Sequence, residues 1–210
     1  LSLGSSDLAI GSKLGYFNSS TDLDGLTTGN QFNGGVYNAN TSIGETEINP
    51  VIQGLEISPS ITWYQNDSLG RSLHYFGITA FNVNEPSSGF TSTDLGKPMR
   101  IAITGGTNVV FGTLGLSPNA LFMTQGNQSQ VVIGADLKYF VTNTHDNYTA
   151  IAFGVYSRLK DAGIITLKYL SDAFDGGITY DINTSSITDG LNQNTGSFEV
   201  FLNYRIKPKS

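Results

Sequence analysis

The chain has 210 residues, 39% hydrophobic and 13% charged, with a formal charge of −6 and no cysteine. The acidic balance and the lack of a Lys/Arg cluster argue against nucleic acid, whose phosphates need clustered cations; the tail residues Lys207 and Lys209 are too few to supply one. Disulfides, zinc–thiolate sites and a cysteine nucleophile are excluded, and no apolar run approaches the ~18–20 residues of a membrane helix.

Strands are predicted where apolar and polar residues alternate with period two between clusters of Gly, Asn, Asp, Ser and Pro. A stub at residues 1–3 leads through a turn at 4–7 to a strand at 8–19, with Leu8, Ile10, Leu14 and Tyr16 on one face. A polar stretch rich in Asn, Gly and Thr fills 20–54. The strand at 55–65 groups Ile57, Ile61 and Trp63, and the one at 72–83 carries apolar residues on both faces. Further strands follow at 99–109, 113–123, 130–141, 149–157, 163–171, 175–184 and 196–206.

Several of these ribbons have one apolar and one charged face. Val131, Ile133, Ala135, Leu137, Tyr139 and Val141 oppose Gln130, Asp136 and Lys138. Ile178, Tyr180 and Ile182 oppose Asp175, Thr179, Asp181 and Asn183. Phe198, Val200, Leu202, Tyr204 and Ile206 oppose Ser197, Glu199, Asn203 and Arg205, with Phe201 the exception.

Dyad strands with charges on the second face are what an antiparallel up-and-down membrane β-barrel requires, because the inward residues dilute the apolar ones. The 25 glycines, 10 tyrosines and 12 phenylalanines suit many turns and aromatic girdles. The fold class expected is therefore an all-β transmembrane barrel, in one domain over 1–210. Alternate connections fall in two sets: 20–54, 84–98, 124–129, 158–162 and 185–195 form one, which holds the three longest, whereas 4–7, 66–71, 110–112, 142–148 and 173–174 form the other and are all short. Outer-membrane barrels show this asymmetry, so 20–54 is expected to be a long extracellular loop.

About eleven strands are counted, and bacterial single-chain barrels have an even number. The chain also lacks an initiator Met and a signal peptide, so N-terminal strands and the export signal are expected to lie upstream.

If the apolar face meets lipid, the other face lines the lumen. The expected lumen network is Arg100, Asp136, Lys138, Arg158, Lys168, Asp181, Glu199 and Arg205, with Lys13, His74 and Asp175 on the same face. Mixed signs favour mutual pairing that rigidifies the interior; a charge-lined selective pore is the alternative. Trp63, Tyr139, Tyr180 and Tyr204, with Tyr169, are candidate membrane-interface anchors, or ordinary aromatic packing within strands.

No catalytic, metal or cofactor site is expected. His74 and His145 are the only histidines and no G-x-S-x-G elbow accompanies them. Asp22-Leu23-Asp24-Gly25 lacks the spaced acceptors and closing Glu of a calcium loop.

An ordered set of short motifs spans most of the chain. It comprises Asn30-Gln31-Phe32, Asn82-Val83-Asn84-Glu85-Pro86, Lys97-Pro98-Met99-Arg100, Leu116-Ser117-Pro118-Asn119 and Leu121-Phe122-Met123. Tyr156-Ser157-Arg158 with Lys160-Asp161-Ala162 follows. The set ends with Ile178-Thr179-Tyr180-Asp181-Ile182-Asn183, Ser185-Ser186, Gly196-Ser197-Phe198-Glu199 and Tyr204.

In these pieces the chain resembles the PorP/SprF family of Bacteroidota outer-membrane proteins, associated with type IX secretion and gliding motility. The resemblance implies the C-terminal part of a barrel of about 14 strands. It also implies a non-enzymatic role: exporting or anchoring a large cell-surface adhesin through its type IX C-terminal domain, with periplasmic secretion or motility proteins as further partners. A passive or selective channel is the runner-up, and a barrel enzyme or a secreted soluble sandwich the more remote alternatives.

Overall fold

The structure is a computed structural model that describes residues 6–20, 27–41, 44, 51–69, 71–87, 89, 96–144, 147–184 and 196–205. The predicted stub at 1–3, the Asp22–Gly25 motif and His145 fall outside them. In chain order the strands are β1 (Ser6–Ser20), β2 (Phe32–Asn33), β3 (Val36–Tyr37), β4 (Val51–Asn66), β5 (Ser72–Phe81), β6 (Arg100–Thr107) and β7 (Val109–Phe111). They continue as β8 (Leu114–Gln125), β9 (Gln128–Asn143), β10 (Tyr148–Arg158), β11 (Ala162–Ser171), β12 (Phe174–Asn183) and β13 (Ser197–Tyr204).

Eleven strands form one sheet in the order β1-β4-β5-β6-β8-β9-β10-β11-β12-β13, with β7 on β8; β2 and β3 make a separate hairpin. Sheet order follows chain order, so the all-β, up-and-down expectation is met. Among the described residues, β1 and β13 are the two ends of the sheet. No described helix is long and apolar enough to cross a membrane, which leaves crossing by strands untouched.

By packing, the chain divides into two compact units. The larger is Leu1–Gly11, Ser60–Thr79 and Ile101–Ser210; the smaller is Ser12–Pro59 and Ala80–Arg100.

In the larger unit the register aligns the alternation across strands. Val109, Leu116, Leu137, Phe153, Leu167, Ile178 and Val200 stand opposite one another, strand by strand. Rows of the other parity carry polar and small residues: Ser117, Asp136, Gly154, Thr166, Thr179 and Glu199 form one. A period of two makes each row uniform only when the register is right.

Burial is inverted relative to a water-soluble sheet. Asp136 is 7% exposed and its neighbour Leu137 is 52% exposed. The buried hydrophobic residues among those described are Phe140, Ala150, Ala152 and Ala162, whereas Ile133, Phe153, Leu167, Ile178, Val200 and Leu202 lie open. An open apolar surface of this kind marks a side that meets a membrane or a partner, and a sheet whose backbone groups pair in ladders can present it to lipid.

Several boundaries differ from expectation. The predicted strand 99–109 is two strands, because Asn108 leaves the ladder: its amide N–H donates to the Leu73 carbonyl (2.7 Å) and its Nδ2 to that of Ser72 (2.6 Å). β9 begins two residues earlier than predicted, since the β8–β9 connection is only Gly126-Asn127. Gly126 has φ +55, as the first residue of a two-residue hairpin turn requires.

The polar stretch expected as a loop over 20–54 is shorter and partly structured, with β1 running through Ser20 and β4 starting at Val51. Between them lie a 3-10 turn, Gly29–Gln31, and the β2–β3 hairpin. Gln31 is buried and organises this segment: Thr28 donates its N–H to Oε1 (3.1 Å), and Nε2 donates to the Thr41 carbonyl (3.1 Å).

Candidate functional site

On the polar face of the larger unit two ion pairs reach across an intervening strand. Lys168 on β11 binds both carboxylate oxygens of Asp136 on β9, at 2.9 and 2.8 Å, with β10 between them. The span is open because β10 turns small residues to that side where the pair crosses it: Ala150 and Ala152 are fully buried, and Gly154 is next. A Cβ on Gly154 would lie 2.2 Å from Asp136 Oδ1 and 2.3 Å from Thr166 Oγ1, so the carboxylate occupies the place of a side chain at 154. The Tyr156 hydroxyl borders the pair, 3.4 Å from Lys168 Nζ and 3.2 Å from Asn119 Nδ2.

The same device recurs one strand along. Arg158 on β10 reaches Asp181 on β12 (3.0 Å) across β11, where Ala162 is buried, and also holds Asp161 in the adjoining turn (3.2 Å). Arg205, just past β13, binds Asp175 on β12 and donates to the Ser171 carbonyl (2.8 Å). Charge-assisted pairs between next-nearest strands tie the sheet together beyond its backbone ladders.

Where the short connections of this unit converge there is a cleft of about 570 Å³. Its lining takes in the turn residues Asp67 and Arg71, Asn108, Asn143 and Tyr148 at the β9–β10 connection, and Ser171 and Asp172 at the β11–β12 turn. Lys138 and Arg205 reach it from the polar face, and Phe140 and Leu170 add apolar surface.

The smaller unit explains two of the sequence motifs. The Asn84 carboxamide acts as a strand substitute for β4: Oδ1 accepts the Ile57 N–H (3.1 Å) and Nδ2 donates to the Leu55 carbonyl (2.7 Å). Asn82, buried with φ +55, donates its N–H to Ser58 Oγ (3.3 Å). Pro86 accepts from the Lys97 amide (2.9 Å), and Glu85 Oε1 accepts from that of Met99 (3.3 Å). Lys97 Nζ in turn binds Glu56 Oε1 at 2.6 Å. The motifs 82–86 and 97–100 thus hold each other against β4.

Of the expected lumen residues, Asp136, Lys168, Arg158, Asp181 and Arg205 are drawn into ion pairs, while Lys138 is held by a neutral group, Asn108 Oδ1 at 2.8 Å. Glu199 stands exposed opposite Thr179 on the end strand, and Arg100, in the smaller unit, lies over the Phe81 ring at 4.3 Å; among the described residues neither forms an ion pair. His74, expected on the polar face, shares the exposed face with Phe76 and Ile78, and contacts Thr107 Oγ1 through Nδ1 (2.8 Å). Its strand carries apolar residues on both faces, so alternation could not orient it.

The aromatic candidates Tyr139, Tyr180 and Tyr204 are on the apolar face, and Trp63 is half-buried opposite Phe76. Tyr139 and Tyr169 share a row on one side of the Leu137 row; Tyr180 lies on the other side. The cleft residues Arg71, Asn108 and Tyr148 carried no sequence signal beyond turn-forming composition.

No group of three or more His, Cys, Asp or Glu placed to hold a metal occurs among the described residues. No curated protein and no solved structure matches the chain. The family model described as Type IX secretion system membrane protein PorP/SprF matches residues 1–204, and the chain belongs to that family, a membrane component of the type IX secretion system.

Proposed function

We propose that the protein is a non-enzymatic outer-membrane barrel that exports or anchors a large cell-surface adhesin by engaging its type IX C-terminal domain. The observation that carries this reading is the sorting of the connections. In an up-and-down sheet alternate connections belong to one set, and 21–50, 82–99 and 184–196 all fall in the same one. Long connections on a rigid scaffold are where recognition surfaces form, and this set would face outward. The short set would face periplasmic components of the secretion or motility machinery. The commitment of Lys168 and Arg158 to carboxylates supports a rigidified interior over a selective channel.

The test is a pull-down of the full-length protein from membranes, with and without residues 22–49. The intact protein is expected to retain the adhesin C-terminal domain and the deletion to lose it, while both keep the heat-dependent gel migration of a folded barrel. A complex that survives the deletion would remove this loop as the docking site.

A further inference from the structure

We propose that the cleft at the short connections is a binding site for the carboxylate side chains of an acidic, partly apolar peptide segment, read by Lys138 and Arg71. Its volume of about 570 Å³ is that of a ligand pocket. On this face Lys168, Arg158 and Arg205 each meet a carboxylate. Of the three cations lining the cleft, Arg205 is thus paired, and Lys138 and Arg71 differ. Among the described residues Lys138 Nζ hydrogen-bonds the Asn108 carboxamide oxygen at 2.8 Å, and Arg71 is held by Asn143 Oδ1 and the Thr144 carbonyl. Among the described residues neither has a carboxylate within ion-pair distance.

The supports are themselves fixed. Asn108 is anchored to the Ser72 carbonyl and accepts from Ser117 Oγ at 2.5 Å, and the Arg71 guanidinium stacks on the Tyr148 ring at 4.7 Å. Both cations are thus positioned while retaining unused N–H donors.

The carboxylates lining the same cleft serve local structure. Asp67 accepts the amides of Leu69 and Arg71 (2.9 Å each), Asp172 accepts that of Tyr148 (2.7 Å), and Asp175 binds Arg205. Lys138 and Arg71 thus stand in the cleft with N–H donors and no carboxylate partner among the described residues, beside the apolar surface of Phe140, Val109 and Leu170. An anionic ligand with apolar flanks matches that combination, and the carboxylate fits guanidinium and ammonium together.

The experiment uses the full-length protein in detergent and fluorescence anisotropy of a labelled Leu-Asp-Asp-Leu peptide, with Leu-Asn-Asn-Leu as its neutral counterpart. The acidic peptide is expected to bind at least about tenfold more tightly than the neutral one, as loss of a charge-assisted hydrogen bond implies. Lys138→Gln and Arg71→Gln should each weaken the acidic peptide by a similar factor, Lys138→Arg should retain binding, and Lys160→Gln, in the β10–β11 turn, should leave it unchanged. Equal binding of the two peptides, no binding of either, or full binding by both Lys138→Gln and Arg71→Gln would overturn the proposal. The assay is indifferent to orientation and to the adhesin, so its failure would leave the adhesin reading intact.

Discussion

Replacing Leu137 by lysine is expected to lower the stability of the bilayer-embedded protein by roughly 2–4 kcal/mol, the cost of a cation on the lipid face of a barrel strand near mid-bilayer. Leu137 is 52% exposed and makes no hydrogen bond through its side chain. On a protein in water, such a surface substitution stays within about 0.5 kcal/mol. The large effect is expected because Leu137 sits in a continuous apolar row, between Leu116 and Phe153, with Leu167, Ile178 and Val200 beyond. Equilibrium unfolding in lipid vesicles, comparing L137K with the unsubstituted protein, reads the difference. A loss below about 0.5 kcal/mol would place this face in water.

Lys168→Met is expected to destabilise the protein by about 3–5 kcal/mol, as breaking a buried ion pair from one side does. The side chains of Lys168 and Asp136 are 19% and 10% exposed, so the remaining carboxylate would lack both partner and solvent. It could not easily relax, since Gly154 and Thr166 enclose it closely. The double substitution Asp136→Leu with Lys168→Met removes the charge as well as its partner and is expected to recover most of the loss. Arg205→Gln should cost at most about 1 kcal/mol, because the Arg205 side chain is 48% exposed and water can replace it. Denaturant unfolding of the set in one detergent separates these cases. A double variant no more stable than Lys168→Met would show that the pair is not what that face depends on.

The alternation of residues 131–141 and 196–206 made strand identity and facing legible, because a period of two survives without any tertiary information. Asp136, Lys138, Lys168 and Asp181 could therefore be assigned to one face before any pairing was known. Their partners could not. That Lys168 meets Asp136 depends on the register of β9, β10 and β11 together, and on Ala152 and Gly154 being small, which no single strand reveals. His74 defeated the reading for the opposite reason: on β5 both parities are apolar, and the register that places Trp63 opposite Phe76 decides the facing. The motifs at 82–86 and 97–100 were visible as words, yet their meaning is mutual support around β4. The cleft was invisible because its residues come from separate turns, and turn composition specifies chain reversal rather than what converges there.

The absence of native cysteine opens a direct test of membrane crossing by this sheet. Single cysteines at each position from 133 to 141 would be challenged in intact vesicles with a membrane-impermeant maleimide and with one dissolved in the bilayer. Positions 133, 135, 137, 139 and 141 are expected to react with the bilayer reagent and resist the aqueous one, and the even positions to escape the bilayer reagent. Rapid aqueous labelling of the odd positions, without alternation, would contradict a lipid-facing apolar face.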